Sequence, residues 1–279
     1  MTRSILFQRR YANETKSRLS AIYRYWEIVS VLARRELKVR YRGSFLGVYW
    51  SLFNPLIMTA VYATIFGTAF NKYYHNSIWE YILSAFTGLA IIHFFNGATG
   101  QALGSIVGNG SLLNKIKLPV SIFPVSIIVA NTFQLVIGLL PLLIIVTILR
   151  SPHLSSSINI ISIPLPLLAS ILISTGIGFL TSSLFVFFRD LPFFYELIQF
   201  ILMLTSPIFY PAEIVDPSIR IFLELNPLYP MIESLRQIVL SGNPPDLFLI
   251  FRSLLSGSIV LVMGWICFHW LSPKFMDLL

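Results

Sequence analysis

Arg34, Arg35, Lys38, Arg40 and Arg42 gather five cations into nine residues, and no charge recurs after Arg42 until Lys72. Basic groups at this density suit lipid headgroups and phosphate oxygens, the arginine fork above all. Other side chains with chemical potential are dispersed. Cys267 is the single cysteine, so neither a disulfide framework nor a cysteine-based metal cluster is available. His75, His93, His153 and His269 lack ligand spacing. No GxxxxGK[ST], GxSxG, HExxH or GxGxxG occurs. Beyond the basic leader, acidic residues fall at the ends of apolar runs and within 211–246, which gives no carboxylate pair for glycosyl hydrolysis. The pattern is that of a non-enzymatic membrane component, with no metal site and no cofactor of its own.

The elements that position these residues follow from composition. The chain is 56% hydrophobic and 11% charged, against about 25% charged in soluble domains. Charge-free windows fall at 43–71, 81–114, 118–149, 151–188, 197–212 and 253–273. About 20 apolar residues cross a hydrocarbon core, so the windows predict six transmembrane helices near 47–70, 80–105, 120–149, 162–188, 193–210 and 250–271. The third and fourth windows exceed one span and take in interfacial turns. The fifth is the weakest signal, with Pro192 and Pro207 at its borders and Glu196 near its start. No cleavable signal peptide is expected, because the first apolar run follows a basic leader. Eleven of the 20 lysines and arginines lie at or before Arg42. With six spans, Lys115, Lys117, Arg189 and Lys274 join them on one side, and the positive-inside rule then makes both termini cytoplasmic. The net charge of +8 is read as membrane topology and not as nucleic-acid binding.

Three further elements are expected. Ile22, Tyr25, Trp26, Val29, Leu32, Ala33 and Leu37 share one helical face, opposite Arg34, Arg35, Lys38 and Arg42. That pattern predicts an amphipathic interface helix, apolar side in the acyl boundary and cations towards headgroups, ending at Gly43-Ser44. The loop 107–119, "VGNGSLLNKIKLP", predicts a short helix capped by Ser111 and stopped by Pro119, suited to docking a partner or simply a positive loop. Residues 206–246 are too polar and proline-rich for one span. Within them Ile219, Phe222 and Leu223, then Met231, Leu235 and Ile238, predict two short amphipathic helices broken at Asn226-Pro227. They form either a re-entrant outer hairpin or a loop on the outer leaflet.

In sequence order, "LKVRYRGSFLGVYWSLFNPL", a Lys-bearing loop before "LPVSIFPVS", "FRDLPFFYELIQFILMLTSPIFYP" and "LNPLYPMIESLRQIVLSG" resemble the membrane subunits of type-2 ABC exporters for O-antigen, capsular polysaccharide and teichoic acid. The resemblance covers roughly residues 25 to 275. It implies an all-α membrane protein with a cytoplasmic basic leader and interface helix over 1–45 and a transporter domain over 46–279. It further implies a homodimer in a bacterial inner membrane, paired with two copies of a separate cytoplasmic ATPase that holds ATP and magnesium. Ser111, Leu112, Leu113, Asn114, Lys115 and Lys117 then resemble an ATPase-coupling helix. The hairpin 211–241 resembles an outer gate carrying Ile219, Phe222, Leu223, Met231, Leu235 and Ile238. For a lipid-linked polysaccharide, aromatic faces suit sugar C–H faces. Tyr49, Trp50, Phe53, Tyr62 and Phe66 on the first span, with Phe193, Phe194 and Phe200 on the fifth, become channel candidates, lipid anchoring being the alternative. The cluster Arg34, Arg35, Lys38, Arg40 and Arg42 becomes a candidate for the lipid diphosphate. A drug or lipid exporter of the same fold is the competing reading. A secondary transporter would need ionisable residues at mid-membrane, which the spans almost lack.

Overall fold

The computed structural model describes residues 2–113, 115–116, 118–150, 155–218, 220–240 and 245–278. Helix α1 (Thr2–Arg40) is followed by a turn in which Gly43 and Gly47 take φ of +76° and +51°. Glycine reaches this left-handed region without a Cβ clash, so α1 turns sharply into α2 (Trp50–Phe70). Then come α3 (Ile78–Gly104), the one-turn α4 (Gly110–Leu113) and α5 (Ile122–Gln134). Helix α5 continues through a π-helical turn, Leu135–Leu139, into α6 (Leu140–Arg150). The remaining helices are α7 (Ser155–Ser162), α8 (Pro164–Phe187), α9 (Leu191–Thr205), α10 (Arg220–Leu225), α11 (Tyr229–Leu240) and α12 (Leu247–Leu271). No strand occurs among the described residues.

Among the described residues, five stretches are long and apolar enough to cross a membrane: Gly47–Tyr73, Ile78–Gly104, Ile122–Arg150, Ile158–Phe187 and Leu247–Met276. The fifth expected span, near 193–210, is α9, which ends at Thr205 and whose 15 residues rise about 22 Å at 1.5 Å each. That is short of the roughly 30 Å of a hydrocarbon core. Its end has a local cause: a residue before proline is pushed out of the helical region, and Ser206, before Pro207, sits at φ −86°, ψ 130°.

The charged ends sort onto two sides of the bundle. Glu80 at the start of α3 pairs with Arg150 at the end of α6 (3.1 Å) and with His75 (2.8 Å). Nearby, the Tyr81 hydroxyl donates to the Phe209 carbonyl at 3.0 Å. At the opposite end Arg35 of α1 donates to Asn109 at 2.9 Å. The apolar face of α1 finds protein where lipid was expected. Val29, Leu32 and Ala33 are buried, and the first two pack with Ile106, Leu113, Ile122 and Phe123. Only the more N-terminal Ile22 and Trp26 of that face stay exposed. A continuous apolar stripe is better covered by the close-packed end of α5 than by mobile chains.

Helix α3 runs through the middle of the molecule, against α2, α5, α8, α9 and α11. It is buried along most of its length, with Ala85, Ala90, Ile91 and Ala98 fully buried, and its polar residues His93, Asn96 and Gln101 share one stripe. The tightest pair is α8 with α12. A Cβ at Gly257 would meet the Ala169 carbonyl at 2.8 Å, and one at Gly264 would overlap the Gly176 carbonyl. Between apolar helices in lipid, small residues let backbones touch, and van der Waals packing replaces a hydrophobic driving force. Gly264→Val is therefore expected to lower stability by at least about 1–3 kcal/mol, the usual cost of overpacking. Gly104→Ala, where an added Cβ meets nothing within 4 Å, is expected to be neutral. Thermal unfolding of the detergent-purified protein compares the two, and equal midpoints would remove the glycine contact as the basis of this pair.

Candidate functional site

The aromatic residues of the first span divide into two groups. Tyr49, Trp50 and Phe53 are exposed, at 55%, 48% and 41%. Tyr62 is instead half-buried and stacks on Phe209, ring centroids 3.6 Å apart. Phe66 stacks on Tyr62 at 6.1 Å and Phe70 on Phe66 at 5.9 Å. One helical turn separates each of these rings from the next, so they form a column along α2. Its C-terminal end reaches Tyr81, which Tyr74 meets edge-on at 5.6 Å. Phe70, Tyr81 and Phe209 were not among the sequence candidates. The i, i+4 continuation from Phe66 to Phe70 was a signal for the first; Phe209 lies in a non-helical segment with no period to follow. On α9, Phe193, Phe194 and Phe200 are all exposed, and Tyr195 is the buried ring.

The basic cluster also divides. Arg34, Lys38 and Arg42 are exposed, and together with Arg35 they line an open groove with Val31, Leu37 and Phe133. Arg40 turns the other way. Its guanidinium donates to Asn131 at 3.2 Å and to Gln101, while the Asn131 amide donates to Gln101 at 3.1 Å and to the Ile127 carbonyl at 2.9 Å. Arg40 thus ties the last turn of α1 to α3 and α5. Beneath it lies a cavity of 320 Å³ lined also by Trp50, Ser51, Asn54, His93, Asn96 and Gln134. None of these but Arg40 and Trp50 was a candidate. The signal was present: His93, Asn96, Gly97 and Gln101 recur at helical spacing, as do Asn131 and Gln134. A polar stripe at period 3.6 inside a charge-free window marks an inward face.

The 107–116 segment is only partly available to a partner. Leu113 is buried with Ile106 and Phe123, and Leu112 packs against the same cluster. Ser111 and Lys115 are exposed, and Ile116 is 51% exposed. Asn114 and Lys117 lie outside the described residues. Asn109 anchors the segment, donating to the Ser105 carbonyl at 2.8 Å while accepting from Arg35. On α1, burial raises the pKa of the Tyr25 phenol; its hydroxyl lies 3.3 Å from Ser121 beside this segment.

At the same end of the bundle as Glu80 and Tyr81, α10 and α11 are broken at Asn226-Pro227 as the sequence indicates. Asn226 is buried and bonds on every side. Its amide donates to Leu202 O (3.2 Å), Thr205 Oγ1 (3.0 Å) and Ser206 Oγ (3.0 Å), and its carbonyl accepts from the Leu228 N–H (2.9 Å). The hairpin is thereby fastened to the end of α9. Arg236 adds a second fastening, to the Pro207 carbonyl (2.6 Å) and to Glu233 (3.2 Å). Met231, Leu235 and Ile238 are fully buried in the main core and Leu223 nearly so, whereas Phe222 is exposed. Ile219 lies outside the described residues. In the loop before α10, Ser218 donates to Asp216 through both hydroxyl and N–H, which lowers that carboxyl's pKa.

Three relatives carry the name O-antigen export system permease protein RfbA. One from Klebsiella pneumoniae is 28% identical over 257 residues, 91% of this chain and 95% of its own length. One from Myxococcus xanthus is 27% identical over 227 residues, 81% of this chain and 85% of its own. A second Klebsiella pneumoniae protein is 26% identical over 257 residues, again 91% and 95%. Residues 27–240 match the family described as ABC-2 type transporter. That match takes in the C-terminal part of α1, the Arg40 cavity, the 107–116 segment and the α10–α11 hairpin, so this chain belongs to the ABC-2 type transporter family.

Proposed function

We propose that this chain is the membrane permease subunit of an ATP-driven exporter that carries lipid-linked polysaccharide of the O-antigen type across the bacterial inner membrane. The carrying observation is similarity, over nearly the full length of both chains, to O-antigen export permeases. The sequence has no phosphate-binding GxxxxGK[ST] loop, which supports phosphoryl transfer on a separate cytoplasmic ATPase. In this reading two copies of the chain pair with two ATPase subunits, α9 is a short fifth span, and the exposed rings of α9 and the start of α2 border the polymer path. The inward burial of Met231, Leu235 and Ile238 among membrane-spanning helices supports a re-entrant hairpin, since backbone breaks at membrane depth must be covered by protein. The sorting of cations supports cytoplasmic termini. Exposed Ser111, Lys115 and Ile116 are the contact for the ATPase, and Leu113 holds the contact segment to the bundle.

Deletion of the gene tests the function directly. Surface polysaccharide is expected to disappear while lipid-linked polymer accumulates inside, and the wild-type gene restores both. Normal surface polymer after deletion overturns the reading in favour of a drug or lipid exporter. In the same strain Ile116→Glu is expected to insert normally yet reduce export and transport-coupled ATP hydrolysis at least about tenfold, as a charge in a desolvated contact does. Full activity would reduce the 107–116 segment to a linker.

The two aromatic groups predict different losses. Tyr62→Ala breaks an intramolecular stack, worth about 0.5–1.5 kcal/mol beyond its buried area, and is expected to lower the unfolding temperature. Phe53→Ala is expected to leave that temperature unchanged and to slow export severalfold at normal abundance. Thermal unfolding and surface polymer measured on both variants decide the matter. A stability loss at Phe53, or unchanged export, removes it from the path.

Orientation is checked by single cysteines in a Cys267→Ser background. Lys72→Cys and Pro217→Cys are expected to react with an impermeant thiol reagent in intact cells. Lys115→Cys and Met276→Cys are expected to react only after lysis, and the reverse pattern inverts the topology.

A further inference from the structure

The 320 Å³ cavity beneath the last turn of α1 has a wall unlike the rest of the bundle. Five amides, Asn54, Asn96, Gln101, Asn131 and Gln134, line it together with Arg40, and no carboxylate does. Its size is at the small end of the range, about 300–1,000 Å³, typical of pockets for organic ligands. His93, eleven residues before the end of α3, also lines it, so the cavity reaches about three helical turns into a membrane span. Polar side chains at such depth mark substrate pathways more often than structural accidents. The π-helical turn also contributes, through Leu135 and Leu139; such turns are rare and frequent at functional sites.

Two atoms in this wall are buried without a partner, the Asn96 side-chain oxygen and the Gln134 side-chain nitrogen. Gln134 is only 7% exposed. One orphan accepts and the other donates. A phosphate dianion supplies acceptors only and leaves Asn96 unpaired. An acyl chain leaves both unpaired. A hydroxylated ring satisfies both, and the Trp50 indole on the cavity wall offers the flat apolar face that sugar C–H groups need. Arg40, held by amide oxygens with no carboxylate against it, leaves the site open to acidic sugars as well as neutral ones.

We propose that this cavity is a saccharide-binding subsite for one sugar unit of the exported polymer, entered beneath α1, sharing Trp50 with the exposed rings of α2 and distinct from Phe53 and the rings of α9. The inference rests on the polysaccharide-export reading and names a place where that substrate is held. The test is photo-crosslinking in cells that make the polymer, fed tritium-labelled monosaccharide, with p-benzoylphenylalanine replacing Trp50, Phe53 or Trp265 in turn. Phe53 is exposed on α2 and does not line the cavity, and Trp265 is on α12. Labelled polymer is expected to attach at Trp50 and not at Trp265. Attachment should fall about fivefold when Gln134→Leu or Asn96→Leu removes one neutral hydrogen bond, at matched protein abundance. Asn96→Ser, which keeps an accepting oxygen, is expected to fall less than Asn96→Leu. Attachment at Phe53 but not Trp50, or at Trp50 undiminished by either leucine variant, overturns the subsite while export stands. So does an adduct at Trp50 that is a phospholipid, formed equally in cells making no polymer. Absence of labelled adducts at all three positions, together with normal export in the deletion strain, sinks the export reading and the subsite with it.

Discussion

Inside a hydrocarbon layer every polar group must find its partner within the protein. This constraint accounts for the absence of strands among the described residues, and it explains what the small polar side chains do. Thr59 donates to the Pro55 carbonyl, Thr99 to Phe95, Thr147 to Leu143 and Ser253 to Ile250, each within its own helix. Where a helix must end at depth, a larger side chain takes over. Asn226 closes the break between α10 and α11 with four bonds, and Arg236 covers the Pro207 carbonyl. Some buried side-chain atoms are left without a partner, among them those of Asn159 and Ser174 as well as the Asn96 oxygen and the Gln134 nitrogen; the last two are the ones that line the Arg40 cavity.

The end of the bundle that holds Arg35 and Asn109 is one packed body. Val29 and Leu32 of α1, Ile106 and Leu113 of the connecting segment, Ile122 and Phe123 of α5, Phe179 and Val186 of α8, and Phe268 and Phe275 near the C-terminus share a single cluster. Close-packed interiors pass displacement on with little compression. In the proposed transporter, a push from an ATPase at Ile116 therefore moves the start of α5 and the amphipathic helix together. The Arg35–Asn109 bond makes that linkage polar as well as apolar. The rigid α8–α12 pair, with backbones in contact at Gly176 and Gly264, is the body against which such movement works.

Helix positions were legible because charge and proline mark them plainly. The turn at Gly43, the break at Asn226-Pro227 and the ends of α9 all sit where local chemistry leaves the backbone few choices. What was not legible depends on contacts across the bundle. Nothing local says that Leu113 faces inward while Ile116 faces out, since both are apolar residues within four positions. Arg40 projects onto the apolar face of α1, opposite Arg42, so its inward turn follows from helical phase; its partners Gln101 and Asn131 depend on how α1 meets α3 and α5. The π-helical turn at Leu135–Leu139 was hidden for a different reason. A π turn shifts the phase of a span without changing its hydropathy, so it leaves no trace in composition.

The short apolar helix α9 links the two ends. Helix α9 buries little beyond Tyr195, so low-cost movement is its natural property. Yet it is tied at both levels. Gln199 donates to the Asn96 carbonyl (3.1 Å) and to Thr99 (3.3 Å), and its last turn is held by Asn226 of the α10–α11 hairpin. Asn96 also lines the Arg40 cavity. One residue of α3 thus borders the cavity with its side chain and holds α9 with its backbone. A ligand that orders the cavity wall and a hairpin that releases α9 act on the same helix from opposite ends. Such coupling requires an element with two arrangements that both sites bias. Short, sparsely packed and fastened by hydrogen bonds instead of by a core, α9 is the element of the proposed transporter on which both sites bear.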